Sequence, residues 1–296
     1  METNASESDF EHLGFLGLKS DADAVDFWNE NSDWHQLVLD LSALALSTFR
    51  GVTIGNRDPQ RILAYTVFYR LITAFQATAL LTARGMDVEA KTMLRTMTEA
   101  IIVLVATSKT QSFAVRFIRA DEDTRRKLLA KTLAAESQPD PGAKLYLTPL
   151  QISQMRADLE ALDEQKKAGT LEKEISKEDI AREAGLLNLY RKHFSYFSLF
   201  THLTPLGMRQ FLVPNDKGEI THFRMGIFYD DALANLRSAM ALVMMGLSAT
   251  KDLFALKIEQ HMASINQRFE SLIAQIEREN QTERPNASVD ANGNQL

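Results

Sequence analysis

The chain has 296 residues, 45 % of them hydrophobic, which is enough to bury a sizeable core. Its formal charge of -6 and pI near 5.6 argue against a broad nucleic-acid footprint, and the lack of cysteine excludes disulfides, thiolate nucleophiles and thiolate metal sites. The polar, acidic first nine residues lack the features of a secretory signal, so we expect a cytoplasmic protein.

The two ends of the chain differ in character from its middle. Residues 1–30 show no sustained periodicity and are predicted to be irregular. Residues 281–296 are polar and rich in Asn, and they are predicted to be a disordered tail. We expect residues 31–280 to form a single helical domain, because they contain neither an internal repeat nor a low-complexity linker.

Capping and breaking residues predict the first helices of that domain. One helix is predicted from Ser32 to Gly51, and the next begins at Asp58 and Pro59 and ends at Gly85. Asp87 then favours a new helix start. The short connection predicts two long helices packed antiparallel.

Further helices are expected through the centre of the chain. The apolar spacing predicts a helix over 111–137 and another that begins at 148–149. The charged residues 163–179 are expected to be exposed, partly helical and mobile. An aromatic helix is predicted over 177–203.

The only convincing strand signal follows that aromatic helix. Residues 209–213 and 220–224 flank the turn-rich residues 215–218, which predicts a small β-hairpin at the surface. Residues 229–280 are helix-compatible throughout, either as one very long helix or as two with a break near Gly246.

These elements predict an all-α fold, a multi-helix bundle with long antiparallel helices and one small β-hairpin insertion. The apolar stretches 100–106 and 238–249 are shorter than the roughly 20 residues needed to cross a bilayer. We therefore expect them to be buried helices and predict no membrane partner.

Two ionisable residues precede the apolar stretch 100–106. Arg95 and Glu99 are four residues apart and so share one helix face, where they can form an ion pair. The stretch after Glu99 has no polar side, which indicates that protein surrounds this part of the helix. The pair is either a packing device or the lining of a pocket, and the sequence leaves both open.

A polar stripe runs along one side of the aromatic helix. Arg191, Ser195, Ser198 and His202 fall within about 60° on an ideal helix. Such a stripe is either the solvated side of an amphipathic helix or a polar surface that faces a pocket. A Ser198–His202 hydrogen bond would resemble an activated nucleophile, but no Gly-x-Ser-x-Gly elbow supports serine catalysis.

Metal and cofactor signals are not found in the sequence. The histidines are dispersed and form no His-Glu-x-x-His motif, and no phosphate-binding glycine loop occurs. We therefore expect neither a metal ion nor a cofactor.

The chain resembles the mainly bacterial family known as domain of unknown function 5677. Leu94-Arg95-Thr-Met-Thr-Glu99 is similar to the Arg-x-x-x-Glu helix of that family, and Tyr190 with Ser198-Leu-Phe-Thr-His202 is similar to its later Tyr and Ser-x-x-x-His pattern. The resemblance spans roughly residues 64–253. It implies an all-helical fold in which the two segments meet, with Arg95 and Glu99 near Tyr190, Ser198 and His202, but it implies no established activity.

Three functional hypotheses follow, and whether the protein is an enzyme is left open. The first is an interaction or ligand-sensing module with a pocket formed by Arg95, Glu99, Tyr190, Arg191, Ser198 and His202. The second is a ribonuclease like the HEPN toxins, although no histidine follows an arginine at their Arg-x4-6-His spacing. The third is a hydrolase with Glu99 or His202 as general base.

The expected partners are a second copy of the chain and an unknown small ligand or protein. Residues 229–280 carry apolar residues at intervals of three and four, which favours a helical homo-oligomer interface. Nucleic acid is disfavoured by the charge.

Overall fold

The computed structural model describes residues 10–55, 57–137, 147–202 and 204–282. Regular structure in these residues is helical except for one two-stranded antiparallel sheet. The predicted all-α bundle with a small β-hairpin is therefore confirmed.

The helices and strands follow the capping residues closely. In chain order they are α1 (Leu18–Glu30), α2 (Ser32–Arg50), α3 (Pro59–Ala83), α4 (Asp87–Lys109), α5 (Gln111–Ser137), α6 (Pro149–Lys167), α7 (Lys177–Ala184), α8 (Leu187–Leu189), α9 (Ser195–Thr201), α10 (Pro205–Met208), β1 (Leu212–Pro214), β2 (Ile220–Phe223), α11 (Ala232–Phe254) and α12 (Glu259–Thr282). A π-helical turn, Tyr190–Phe194, joins α8 to α9.

The chain divides into two compact units, each assembled from separate segments. The first contains the described residues within 1–52, 72–97 and 197–296, and the second contains those within 53–71 and 98–196. The sequence shows no sign of this division, because three of the four boundaries fall inside α3, α4 and α9, and only the one between 52 and 53 lies in a connection.

The first unit has its core around α2, which packs against α11 and α12. Trp34 of α2 meets Phe269 of α12 edge to face at 6.1 Å, and Phe49 meets Phe254 of α11 at 5.4 Å. Leu37 and Leu41 of α2 and Leu236 of α11 are fully buried in this unit. Buried aromatic and aliphatic area of this kind supplies the main stabilisation of a helical core.

The second unit is built on the start of α3, the end of α4, and α5 to α8. Helices α5 and α6 pack against each other, and a capping box between Thr148 and Gln151 begins α6 where the sequence predicts it. Gln60 of α3 donates to the Thr107 carbonyl of α4 at 2.8 Å. The buried side chains of this core include Phe68, Ile101, Leu104, Phe113 and Ile180.

The predicted hairpin of long helices is confirmed in both units. Thr78 of α3 approaches the Met97 sulfur of α4 at 3.6 Å, and Gln60 bonds to Thr107 further along. Contacts between early α3 and late α4, and between late α3 and mid α4, define an antiparallel pair. The pair turns at Gly85, which has a φ of 67°.

The β-hairpin also lies where the sequence predicts it, with shorter strands. Leu212 pairs with Phe223 and Val213 with His222, and an irregularity follows at Pro214. Residues 209–211 form a 3-10 turn instead of the start of the strand. All of β2 is exposed, so the hairpin is a surface feature.

Three predictions about element positions are wrong. The aromatic helix predicted over 177–203 is not continuous, because Gly185, with a φ of 72°, ends α7 before α8, the π-helical turn and α9. Residues 18–30 are predicted to be irregular but form α1, which buries Phe27 and carries Asp21 in its first turn. The C-terminal helical region breaks after Phe254, where Ala255 has a φ of 51°, and not at Gly246, which is buried inside α11.

Helices α11 and α12 form the last part of the described chain. Helix α12 continues to Thr282, two residues into the predicted tail, and the remainder of that tail lies outside the described residues.

Within the described residues, α11 is long and apolar enough to cross a membrane, but 56 % of its most apolar 18-residue window is buried in the protein. This is a weak membrane signal, since core helices share it. The homo-oligomer through these helices stays a prediction.

The turn at Gly85 generates a stability prediction. A Cβ at Gly85 would lie 2.3 Å from Ile227 Cγ2 and 2.8 Å from the Phe228 nitrogen, whereas one at Gly169, also at positive φ, meets nothing within 4 Å. Gly85→Ala is expected to lower the free energy of unfolding by about 2–4 kcal/mol, through strain plus overpacking. Gly169→Ala is expected to cost about 1–2 kcal/mol from strain alone. Urea denaturation measures both, and equal losses would contradict the packing account.

Candidate functional site

Polar side chains recur at every turn along the first part of α4. Asp87, Lys91, Arg95 and Glu99 are each four residues apart and therefore follow one helix face. The helix then continues into the buried stretch 100–106, with Ile101 and Leu104 fully inaccessible. Each of these four side chains has a bonded partner, which a charge near a protein interior requires.

Lys91 lies at the centre of a polar cluster in the first unit. Its ammonium bonds to Asp87 and to Asp231, each at 2.6 Å, and it lies 4.7 Å from the centre of the Phe200 ring. Asn235 donates to the second Asp87 oxygen at 2.8 Å. Burial lowers the pKa of Lys91, but the two aspartates outweigh burial and raise it above its ordinary value of 10.5. This cluster holds the start of α4 to the start of α11.

Arg95, one turn further on, bonds to the predicted polar stripe within the same unit. Its Nε donates to Ser198 Oγ at 3.1 Å. Ser198 is half-buried, whereas His202 is exposed. The structure therefore brings Arg95 and Ser198 together and leaves His202 on the surface of the unit.

Glu99 belongs to the second unit and faces a lysine. Its Oε1 lies 2.6 Å from Nζ of Lys177, the first residue of α7. The two side chains are 38 % and 47 % exposed, so the pair is neither fully buried nor freely solvated. The Lys177 ammonium also lies 5.4 Å from the centre of the Phe194 ring.

This ion pair lies at a cavity of about 360 Å³ within the second unit. Its walls come from α4, α5, the segment before α7, α7 itself and the π-helical turn. Most of its lining is apolar, and it contains three carboxylates and one ammonium; the residues are Glu99, Ile102, Val103, Phe117, Ala120, Asp121, Thr124, Glu174, Ile175, Ser176, Lys177, Ile180, Tyr190 and Phe194.

Local sequence explains how α7 presents Lys177 to this cavity. Ser176 caps the helix by accepting from the Asp179 nitrogen at 3.1 Å, which places Lys177 in the first turn. Gly185 ends the helix in the left-handed conformation with a φ of 72°. Lys109 then donates to the Ala184 carbonyl at 2.7 Å, so both ends of α7 are fixed.

The π-helical turn supplies the aromatic wall. Tyr190 and Phe194 stack at 4.9 Å within it. Such a turn is wider than an α-helical one and occurs frequently at functional sites. The wider turn shifts the side chains around the helix axis, so the angular position calculated for Arg191 on an ideal α-helix does not apply. Arg191 pairs with Glu178 at 2.9 Å.

The six residues predicted to share a pocket are distributed over the two units. Arg95, Ser198 and His202 belong to the first, and Glu99, Tyr190 and Arg191 to the second. Glu99 and Tyr190 line the same cavity. That all six residues form one pocket stays a prediction.

Comparison with known proteins identifies the family. The profile of a family of unknown function, DUF5677, matches residues 61–220, more than half of the chain. The chain belongs to this family. The resemblance proposed from Arg95, Glu99, Tyr190, Ser198 and His202 is confirmed, since all five lie in the matched region.

The cavity of this DUF5677 member lies entirely within the matched region. The family description assigns no activity. No curated protein and no solved structure matches the chain. Any function therefore has to be argued from the geometry.

Sequence reasoning misses several residues of these sites. Lys91 and Asp87 continue the four-residue spacing of Arg95 and Glu99, and extending that spacing would have found them. Glu174 and Lys177 lie in the stretch expected to be exposed, and both are exposed, but the sequence does not indicate that they also line a cavity. No group of three or more side chains suited to a metal ion occurs in the described ranges.

The Lys91 cluster predicts a large loss of stability on removal of the lysine. Lys91→Met leaves Asp87 buried without its cation, so we expect the free energy of unfolding to fall by about 3–5 kcal/mol. Lys173→Met removes the same charge from an exposed position and is expected to change it by less than about 0.5 kcal/mol. Chemical denaturation compares the two, and similar losses would contradict a structural role for the cluster.

His193 in the π-helical turn predicts a pH dependence. Burial and the neighbouring Lys192 hold the pKa of His193 below its ordinary value of 6.5. The unfolded chain therefore binds the proton more readily, and the free energy of unfolding falls as the pH drops below 6.5. His193→Gln is expected to reduce this fall, and the exposed His261→Gln to preserve it. Identical pH profiles for His193→Gln and the wild type would contradict the prediction.

Proposed function

We propose that the protein is a small-molecule-binding module and that its ligand occupies the cavity of the second unit. The observation that carries the proposal is the combination of an apolar cavity of about 360 Å³ with an accessible Glu99–Lys177 ion pair at its wall. Binding cavities for small molecules typically measure about 300–1,000 Å³ and combine apolar walls with a few polar groups.

The degree of burial of the ion pair supports a ligand over a packing role. A pair that only fixes helix register is expected to be enclosed in the core, as Lys91 and Asp87 are at 3 % and 5 % exposure. Glu99 and Lys177 instead retain more than a third of their side-chain surface. Their charged atoms are therefore accessible to a ligand in the cavity.

The hydrolase and ribonuclease hypotheses gain no support from this geometry. Glu99 is engaged by an ammonium, which occupies an oxygen that a general base would use. His202 is exposed in the first unit. A binding role needs only the cavity and its polar groups.

Blocking the cavity tests the proposal. Thr124 is an exposed residue of α5 at the cavity wall, and Thr66 is an exposed residue of α3 in the same unit outside the cavity lining. Three probes share one naphthalene body: 2-naphthylmethylamine, 2-naphthylmethanol and 2-naphthoate. Ligand-observed NMR is expected to show saturable binding of at least one of them at millimolar concentration or below.

Thr124→Trp is expected to weaken that binding at least about tenfold by filling the cavity, and Thr66→Trp to leave it unchanged. Thermal unfolding confirms that both variants are folded. If none of the three probes binds saturably to the wild type, or if Thr124→Trp binds as well as Thr66→Trp, the proposed site is wrong.

A further inference from the structure

The Lys177 ammonium occupies a position suited to a cation in general. A carboxylate oxygen of Glu99 lies 2.6 Å from it, and the Phe194 ring centre lies 5.4 Å away. A carboxylate beside an aromatic ring is the arrangement by which proteins bind organic ammonium groups. Lys177 thus fills, from within the chain, a site that a ligand ammonium would also fit.

We infer that the ligand is an organic cation whose ammonium replaces that of Lys177 between Glu99 and Phe194, an inference that rests on the proposed function. Such a ligand would carry an apolar or aromatic body into the remainder of the cavity. One cation displaces another, and no covalent bond is made or broken.

Lys177 is easily displaced from this position. Its side chain is 47 % exposed, and ion pairs at this level of exposure contribute little to stability. Ser176 caps the helix independently, so α7 does not need the lysine to keep its start.

The charge of the lining favours a cation over an anion. Glu99, Asp121 and Glu174 contribute carboxylates, and Lys177 contributes the single ammonium. Lys127 neutralises Glu174 at 2.9 Å from outside the lining. A ligand anion would face the Asp121 carboxylate, whereas a ligand cation would add a favourable interaction with it.

The remaining walls select the body of the ligand. Tyr190 stacks on Phe194, and Ile102, Val103 and Phe117 also line the cavity. These surfaces suit an apolar or aromatic group, and Glu174 of the lining is already paired with Lys127. An amphipathic monoamine is therefore the class that fits.

The three naphthalene probes separate this inference from the proposed function, because they share one ring system and carry polar groups of similar size but different charge. Ligand-observed NMR titration of the full chain is expected to show 2-naphthylmethylamine binding at least about tenfold more tightly than 2-naphthylmethanol, with 2-naphthoate the weakest. Equal affinities of amine and alcohol, with Thr124→Trp still blocking both, would overturn the inference and leave the proposed function standing.

Two charge variants with matched controls test the displacement itself. Glu99→Gln is expected to remove most of the preference for the amine, whereas Glu160→Gln, at an exposed position on α6, keeps it. Lys177→Met is expected to tighten amine binding about threefold or more by removing the competing ammonium. Lys173→Met, which removes the same charge from an exposed position nearby in sequence, is expected to leave it unchanged.

Each outcome decides the matter. If Lys177→Met weakens amine binding or leaves it unchanged, the ligand ammonium does not replace Lys177. If Glu99→Gln keeps the preference for the amine, Glu99 does not bind the cation. If none of the probes binds the wild type, the proposed function itself fails.

Discussion

The rest of the structure depends on the polar contacts that match Lys91, Arg95 and Glu99 on successive turns of helix α4. The helix runs into a stretch with Ile101 and Leu104 fully buried, so charged groups on the turns before it cannot all rely on water. Lys91 is matched by two aspartates, Arg95 bonds to Ser198, and Glu99 bonds to Lys177. The same helix is therefore tied by a different polar contact at each successive turn.

These contacts differ in burial. Lys91 and Asp87 are enclosed and have bonded partners, which is how a buried ion pair is made tolerable, whereas the Asp231 side chain at the edge of this cluster is half-exposed. In the Glu99–Lys177 pair both side chains are partly exposed, and the pair borders a cavity. The first cluster holds helices together, and the second pair is the one that the proposed ligand would contact.

The sequence predicts the helices well because their ends are marked by local signals. Helix α3 begins at Pro59, the chain turns at Gly85, and α6 begins with the Thr148–Gln151 capping box, each at a position where the sequence predicts a helix start or end. The break at Ala255 is not marked, since an alanine in a left-handed conformation has no local signature.

The candidate site was only partly predictable from the sequence. Glu99 stands out beside its apolar stretch, but Lys177 reaches it across 78 positions of the sequence, and the π-helical turn changes a side-chain register that was calculated for an ideal α-helix.

The most direct test of the central claim is a crystal structure of the protein with 2-naphthylmethylamine bound. We expect the naphthalene body against Tyr190 and Phe194, the ligand ammonium about 3 Å from the Glu99 carboxylate, and the Lys177 side chain turned toward solvent. Naphthylmethylamine bound elsewhere, or bound in the cavity with Lys177 still on Glu99, would contradict it.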